Sequence, residues 1–543
     1  RHPPRLHLFD RFGRRRDEFE FHPAWHQCLG WIKAHKPAEI AAKMPEDYAG
    51  GDPAVFNMAV MGLRLAKRAN GVAQLHGQVS RGMFAALWPG FDTAEVPITS
   101  ITNGVHAETW TDPEFAEAQA EYFTPAEIAD GSGWYKTEGG IDNATLWQLR
   151  HAQRERLVAD ARVRSRKSWL QRGASPAELG WVDGILDPDV LTIGFARRVP
   201  TYKRLTLMLR DTDRLRRLLL HPERPVQIVV AGKSHPADEQ GVRLIQQLVQ
   251  FADAEDVRHR IVFLPNYDIE MAQRLYPGCD VWLNNPLRPL EACGTSGMKA
   301  ALNGALNLSI LDGWWDEMYD GENGWAIPTA DGVQDADRRD DLEAAALYDL
   351  LENTVAPRFY DRTDGLPVQW LANVRHTLAT LGPKVQATRM VREYITDLYT
   401  PVATSSRELN ADGGAGAVAL ADWKARVQQS WPAVRVEHVE SEGLHEVVQV
   451  GDAVTVRAFV SLDGLAPEDV QVQVVHGRVG DDDQIDEFET EPLTLTDSYE
   501  GSRYQFSRTL TLGRSGPFGY TVRIVPVHAG LAGYTELGLV ATA

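Results

Sequence analysis

Cysteine is scarce in this 543-residue chain, where only Cys28, Cys279 and Cys293 occur, far apart from one another. Three scattered thiols make neither a disulfide framework nor a zinc cluster, and they point to a reducing, cytoplasmic setting. Long apolar runs are missing as well. No stretch reaches the roughly 18 consecutive apolar residues that a membrane helix needs, and no charged-then-apolar leader opens the sequence. Positive charge is in deficit, with 56 Lys and Arg against 75 Asp and Glu for a net charge of −19. Nucleic acid and anionic membranes would repel such a surface, so neither is an expected partner. The 16 histidines form no HxxH or HExxH arrangement with a supporting carboxylate, and no metal site is expected. What is present is ordinary folded composition, 43% hydrophobic, 9% aromatic and 24% charged. At about 150 residues per domain the length predicts three or four folding units.

Residues 1 to 52 are basic and irregular, with Arg14, Arg15 and Arg16 followed by text of no clean period. From Phe56 to Phe84 apolar residues recur at helical spacing, with Asn70-Gly71 as the expected break between two helices. PITS is strand-like and leads to the turn signal Asn103-Gly104, and charged helical text fills 142–172. Beyond Leu191 five short apolar runs, LTIGF, VQIVVA, RIVFL, DVWLN and LNLSI, alternate with helical text. That alternation predicts a Rossmann-like α/β domain with a parallel sheet, whose ligands bind at the carboxyl ends of the strands. Those ends carry ARRVPTYKR, Gly232-Lys233-Ser234-His235, Pro265-Asn266-Tyr267, the long NNPLRPLEACGTSGMKAALNGA and Leu311-Asp312-Gly313-Trp314. Helical text resumes over about 340–400. A linker with Gly413, Gly414 and Gly416 precedes a short helix near Trp423, and then VTVRAFV, VQVQVV and YTVRIV show the period-two alternation of a β-sandwich. A structural or assembly role is the expectation for this tail.

Chemistry concentrates at the strand exits. Gly294-Thr295-Ser296-Gly297 opens a helix, and a small-residue turn there presents unpaired N–H groups and the positive end of a helix dipole, although the same turn also serves as a plain helix start. Lys299 stands among Met298, Ala300, Ala301 and Leu302. A lysine in apolar surroundings either snorkels to water or has a lowered pKa and condenses with an aldehyde cofactor such as pyridoxal phosphate. Arg197, Arg198, Lys203 and Arg204 form a basic cluster at one strand exit of an acidic protein, fitted to hold phosphate. Glu291 offers a carboxylate for sugar hydroxyls or for the surface. No spacing singles out a glycosidase carboxylate pair, and His76 and His106 read as packing residues.

At these residues the sequence resembles the α-glucan (glycogen and maltodextrin) phosphorylases of the actinobacterial type. EACGTSGMKAALNGALNLSILDG is similar to the family's cofactor-lysine signature, and ARRVPTYKR resembles its phosphate-binding motif. ANGVAQLHGQVSR and ITNGVHAETW extend the likeness, which covers roughly residues 52–400 and continues into the β-rich tail. The resemblance implies a GT-B architecture of two Rossmann-like domains and phosphorolysis of α-1,4-glucan by inorganic phosphate to glucose 1-phosphate. It implies pyridoxal phosphate on Lys299, with Arg197, Thr295, Gly294 and Ser296 around the cofactor phosphate and Tyr267 beside its ring. Arg198 and Lys203 would hold the substrate phosphate; Glu291, Cys293 and Gly294 would contact the glucosyl unit.

The family's large amino-terminal domain, with a glycine-rich loop over the phosphates and a sugar-contacting histidine, has no counterpart in residues 1–52. With Arg1 rather than Met first, the expectation is a truncated, weakly active form. The expected organisation is an atypical segment 1–52, a remnant of the first GT-B domain over 53–180, a cofactor-bearing Rossmann-like domain with return helices over 181–405, a linker and helix over 406–435, and a β-rich accessory domain over 436–543. Homo-oligomers are a further expectation. The alternatives are a GT-B glucosyltransferase that uses a nucleotide sugar, in which Lys299 carries no cofactor, and an inactive fragment that binds without turnover.

Overall fold

The computed structural model describes residues 46, 48–52, 57–124, 126–127, 131–138, 140–198, 201–234, 238–443, 449–480 and 484–543. Cys28 and nearly all of the atypical segment 1–52 lie outside the described residues. Two compact units emerge, neither of them a continuous stretch: one comprises residues 1–69, 81–97 and 405–543, the other residues 70–80 and 98–404.

The second unit is built on a six-stranded parallel sheet. Its strands are β1 (Leu191–Arg198), β2 (Val226–Lys233), β3 (Ile261–Pro265), β4 (Val281–Asn284), β5 (Leu306–Ile310) and β6 (Gly324–Ile327). Their order across the sheet is β3-β2-β1-β4-β5-β6, and every neighbour pair is parallel. Chain order runs one way from β1 to β3 and then jumps back to place β4 on the other side of β1. That reversal opens a crevice between β1 and β4, where open α/β sheets bind ligands. The five apolar runs of the sequence are β1 to β5. The sixth strand, GWAI, does not stand out in the sequence because two of its four residues, Gly324 and Ala326, are poor strand formers.

Helix α1 (Asn143–Gln171) begins where Asp142 Oδ1 accepts the N–H groups of Ala144 and Thr145 at 2.9 and 3.0 Å. Its buried face, Leu146, Arg150, Arg154, Leu157, Val158 and Ala161, follows the helical period. Two arginines on that face fasten the floor of the sheet. Arg150 donates to the carbonyls of Pro277 and Asn303 at 2.7 Å and to that of Cys279, and Arg154 pairs with Asp280 at 2.7 Å. Asp280 in turn accepts the Thr192 N–H of β1 at 3.0 Å. Between residues 65 and 74 the break expected at Asn70-Gly71 is a short strand, Ala69–Gly71. His76 accepts the Val72 N–H at 3.1 Å, a packing role; His106 instead is solvent-exposed and bonds Thr109 Oγ1 at 2.8 Å.

The first unit contains two four-stranded antiparallel sheets. One orders β11 (Thr494–Tyr499), β12 (Arg503–Thr511), β8 (Ala453–Ser461) and β7 (Arg435–Glu442); the other orders β10 (Ile485–Pro492), β9 (Val470–Val479), β13 (Phe518–Pro526) and β14 (Ala541–Thr542). Alternate residues Val454, Val456, Ala458 and Val460 of β8 share one core with Val472, Val474, Val522 and Ile524 of the other sheet. The glycine linker is an ordered corner in which Asp412, Gly413 and Gly414 take φ of 50°, 71° and 89°. Residues 81–97 join this unit: Glu95 accepts Arg523 Nη1 at 2.8 Å and the Tyr534 hydroxyl at 3.0 Å.

Arg154→Ala leaves the fully buried Asp280 carboxylate with Arg150, at 3.7 Å, as its remaining ion-pair partner among the described residues. Loss of a partner from a buried ion pair costs about 3–5 kcal/mol, so the expected outcome is a lowered denaturant midpoint without change in the slope.

Candidate active site

Three strand exits converge at the crevice. Arg197, next to last in β1, lies level with Gly232 of β2, and its guanidinium is buried. The chain returns at Thr201–Lys203, where the Leu287 N–H donates to the Tyr202 carbonyl at 2.7 Å and so docks this turn on the segment after β4. Arg204, grouped with the phosphate cluster from sequence, is used otherwise. At a φ of 47° it turns back and donates to the carbonyls of Asn285 and Pro286 at 3.0 and 2.7 Å and to Asp340 at 2.9 Å. It braces the loop rather than facing a ligand. The side chain of Arg198 lies outside the described residues, as does His235.

Glu291 is the hub. Its buried carboxylate accepts Lys203 Nζ at 2.7 and 2.5 Å on its two oxygens and Arg197 Nη1 at 3.2 Å. Burial pushes this carboxyl upward, but the two cations outweigh it and hold it below the usual range. The two cations crowd one another on a single directly bonded carboxylate, with Asp312 a second negative charge acting through space. Burial and the neighbouring Arg197 accordingly push Lys203 down to about 8, against the pull of Glu291. Arg197 Nη2 is buried and has no hydrogen-bond partner among the described residues. An anion at this point would relieve the crowding and give that nitrogen an acceptor.

Beyond Glu291 the chain enters helix α2 (Thr295–Ala301) through Gly294 in the left-handed conformation, φ 85°. A Cβ there would lie 2.9 Å from Glu291 Oε1, and no side chain caps the helix start. Cys293 is buried beside Glu291, and burial pushes its thiol up to about 12, so it is no nucleophile. Ser296 Oγ accepts the Trp282 indole N–H at 3.2 Å.

One turn into α2, Lys299 Nζ lies 3.8 Å above the ring centre of Trp110 and 5.5 Å from that of Tyr276. Burial lowers its pKa, which favours the neutral, nucleophilic amine. Tyr267 meets Tyr276 hydroxyl to hydroxyl at 2.6 Å, and the Arg197 charge acts on both phenols. The structure thus brings Arg197, Lys203, Tyr267, Glu291, Cys293, Gly294, Ser296 and Lys299 into one neighbourhood. Sequence reasoning missed Trp110, although NGVHAETW had drawn attention, and Asp312, which resembled any Asp-Gly turn. A separate cavity of about 860 Å³, lined by Thr102, Glu317 and Arg389 among others, contains none of these site residues. Arg389 is already occupied there by Glu393 at 2.7 Å and by the carbonyls of Lys384 and Asn103.

Residues 43–322 match the family model described as carbohydrate phosphorylase. The chain belongs to that family. Residues 431–543 match the glycogen phosphorylase C-terminal domain, and residues 1–61 match a different family model, the adaptive response protein AidB N-terminal domain. The glycogen phosphorylase of Mycobacterium tuberculosis is 57% identical over 496 residues, covering 91% of this chain and 57% of that protein. The maltodextrin phosphorylase of Thermococcus litoralis is 35% identical over 530 residues, covering 95% and 61%. The glycogen phosphorylase of Aquifex aeolicus is 42% identical over 374 residues, covering 68% and 52%. The chain therefore spans between about half and three fifths of the length of these relatives.

Gly294→Ala forces an alanine into φ 85° and a methyl against Glu291. A non-glycine residue in this conformation costs roughly 1–2 kcal/mol, and the expected outcome is that loss in thermal or denaturant stability together with weaker binding of any ligand that depends on Glu291.

Proposed function

We propose that this phosphorylase-family chain carries the phosphate and cofactor half of a GT-B α-1,4-glucan phosphorylase site, with inorganic phosphate and glycogen or maltodextrin as substrates. In this reading the parallel-sheet region, residues 181–405, is the cofactor-bearing GT-B domain, residues 53–180 belong to the first GT-B domain, and residues 436–543 are an accessory domain. The names of the relatives support the substrate class. The observation that carries the reading is the Arg197–Lys203–Glu291 cluster, two cations to one carboxylate with a guanidinium nitrogen left unpartnered, beside a lysine amine seated on aromatic rings.

The residues fit pyridoxal phosphate. Lys299 supplies an amine of lowered pKa, Trp110 and Tyr276 supply flat walls, and the uncapped N–H groups from Gly294 onward with Thr295 and Ser296 supply an anion cradle beside Arg197. When bound, the cofactor supplies a phosphate that exchanges a proton with the substrate phosphate. The protein's own part is electrostatic. Arg197 and Lys203 hold phosphate dianions that would otherwise repel each other, and Arg198, at the end of β1, joins them. When Lys203 and Arg197 turn to phosphate, Glu291 is released to accept hydrogen bonds from the hydroxyls of the terminal glucosyl unit. The phosphate then protonates the glycosidic oxygen, the C1–oxygen bond breaks, and a phosphate oxygen bonds to C1 to give glucose 1-phosphate and a glucan shorter by one unit. Buried, free Cys279 and Cys293 suit a cytoplasmic setting, and among the described residues no helix is long and apolar enough to cross a membrane.

Mixing the chain with pyridoxal phosphate and trapping it with borohydride should label Lys299 in peptide maps, and Lys299→Ala should abolish that label. A wild-type chain that takes no label but binds a nucleotide sugar would instead be a nucleotide-sugar glucosyltransferase. Glu291→Gln removes the internal competitor for the cations, so inorganic phosphate should bind about tenfold more tightly while maltotriose binds about tenfold more weakly, opposite signs that general damage does not produce. Only protonated Lys203 attracts phosphate, and its pKa is depressed rather than raised. Loss of the Lys203 proton should therefore weaken phosphate binding as pH rises through about 8, as titration calorimetry would show.

A further inference from the structure

We infer that Asp312 is a positioning residue that holds the sugar-facing tripeptide Glu291–Ala292–Cys293 in place from behind. Asp312 is fully buried at the exit of β5. Its two oxygens are spent on two backbone donors from different segments: Oδ2 accepts the Glu291 N–H at 3.0 Å and Oδ1 accepts the Gly313 N–H at 2.8 Å. The next residue completes the clip, since the Trp314 N–H donates to the Cys293 carbonyl at 2.9 Å. Both ends of the tripeptide are thus pinned to one turn, while the Glu291 side chain is held in front by Arg197 and Lys203. The approach is tight: Gly313 has φ 56°, and a Cβ on it would stand 2.3 Å from the Cys293 carbonyl oxygen.

The two N–H groups approach different oxygens, so the side chain at this position must present an acceptor on both of its arms, as a carboxylate does. The charge is kept at a disadvantage, because burial, together with the Glu291 charge, pushes Asp312 up to about 6. Arg288, the cation that opposes this rise, is itself shared with Asp316 and Asp331. A strained charge retained behind a ligand-facing carboxylate marks a position kept for the site. The carboxamide of Asp312→Asn has one acceptor oxygen, so one of the two N–H groups must face an NH₂ group and lose its bond.

The sugar role rests on the glucan-phosphorylase reading, but the clip itself is tested without any ligand. Alkylation with iodoacetamide, resolved site by site by mass spectrometry, reads Cys293 with buried Cys279 as the internal control. In Asp312→Asn, Cys293 should react at least tenfold faster and Cys279 at the wild-type rate; Gly313→Ala, which pushes the same turn off Cys293 without altering Asp312, should do likewise. An unchanged Cys293 rate, or equal acceleration of both thiols in both variants, overturns the inference, the latter because Asp312 then holds the fold and not the tripeptide. In the same Asp312→Asn protein maltotriose affinity should fall about tenfold with inorganic phosphate affinity within threefold; equal losses for both ligands also overturn it. If wild-type chain binds no maltotriose while the thiol result holds, the glucan reading fails and the positioning role stands.

Discussion

The arrangement of this site depends on a single buried contact, the carboxylate of Glu291 held between Lys203 and Arg197. The two cations come from the exit of β1 and the carboxylate from the long segment after β4, so the contact closes the crevice at the point where strand order reverses. In water such a pair would contribute little, but with Arg197 and Glu291 buried the charges are poorly screened and cannot be left unmatched. Much of the local structure serves to present them. Arg204 is withdrawn to brace the loop, Gly294 leaves room where any Cβ would press on the carboxylate, and Asp312 fixes the backbone behind it.

The composition of that contact gives the site its chemistry. The two cations crowd a single directly bonded carboxylate; burial and the Arg197 charge lower Lys203, and one Arg197 nitrogen has no hydrogen-bond partner among the described residues. A protein of net charge −19 would repel phosphate over most of its surface; concentrating positive charge inside a crevice reverses that locally. Burial lowers Lys299 as it lowers Lys203, but the contacts differ. Lys299 is surrounded by indole and phenol faces rather than by charge, so burial drives it toward the neutral amine. A held cation and a reactive amine, both from basic side chains, are separated by environment alone.

Much of the fold is legible in the sequence because a parallel sheet buried on both faces writes itself as uninterrupted apolar text, and β1 to β5 are those five runs. GWAI at β6 is half glycine and alanine, which do not mark a strand, and strands such as RVEHVESE and TLTDSY are so exposed that no alternation marks them. Within the site, Arg197, Lys203, Glu291, Gly294 and Lys299 announce themselves as basic or small residues at strand exits. Trp110 lies nearly 190 positions before Lys299 and carries no local sign of its partner. Asp312 is hidden for another reason, since an Asp-Gly pair after a strand is the commonest kind of turn. Arg204 was misjudged because adjacency in sequence says nothing of direction; its positive φ swings the side chain away from its neighbours.

The sequence by itself determined which elements form, the acidic balance of the whole and the identity of the chemical groups at the strand exits. Apolar periodicity, glycine placement and residue type are local properties, and local properties survive in one dimension. Tertiary structure alone decided which of those groups meet: that one carboxylate is shared by two cations, that an aspartate 21 positions later holds that carboxylate's backbone, and that the lysine amine rests on an indole. Pairing, burial and the resulting shifts in proton affinity depend on distances across the sheet, and only the fold sets those.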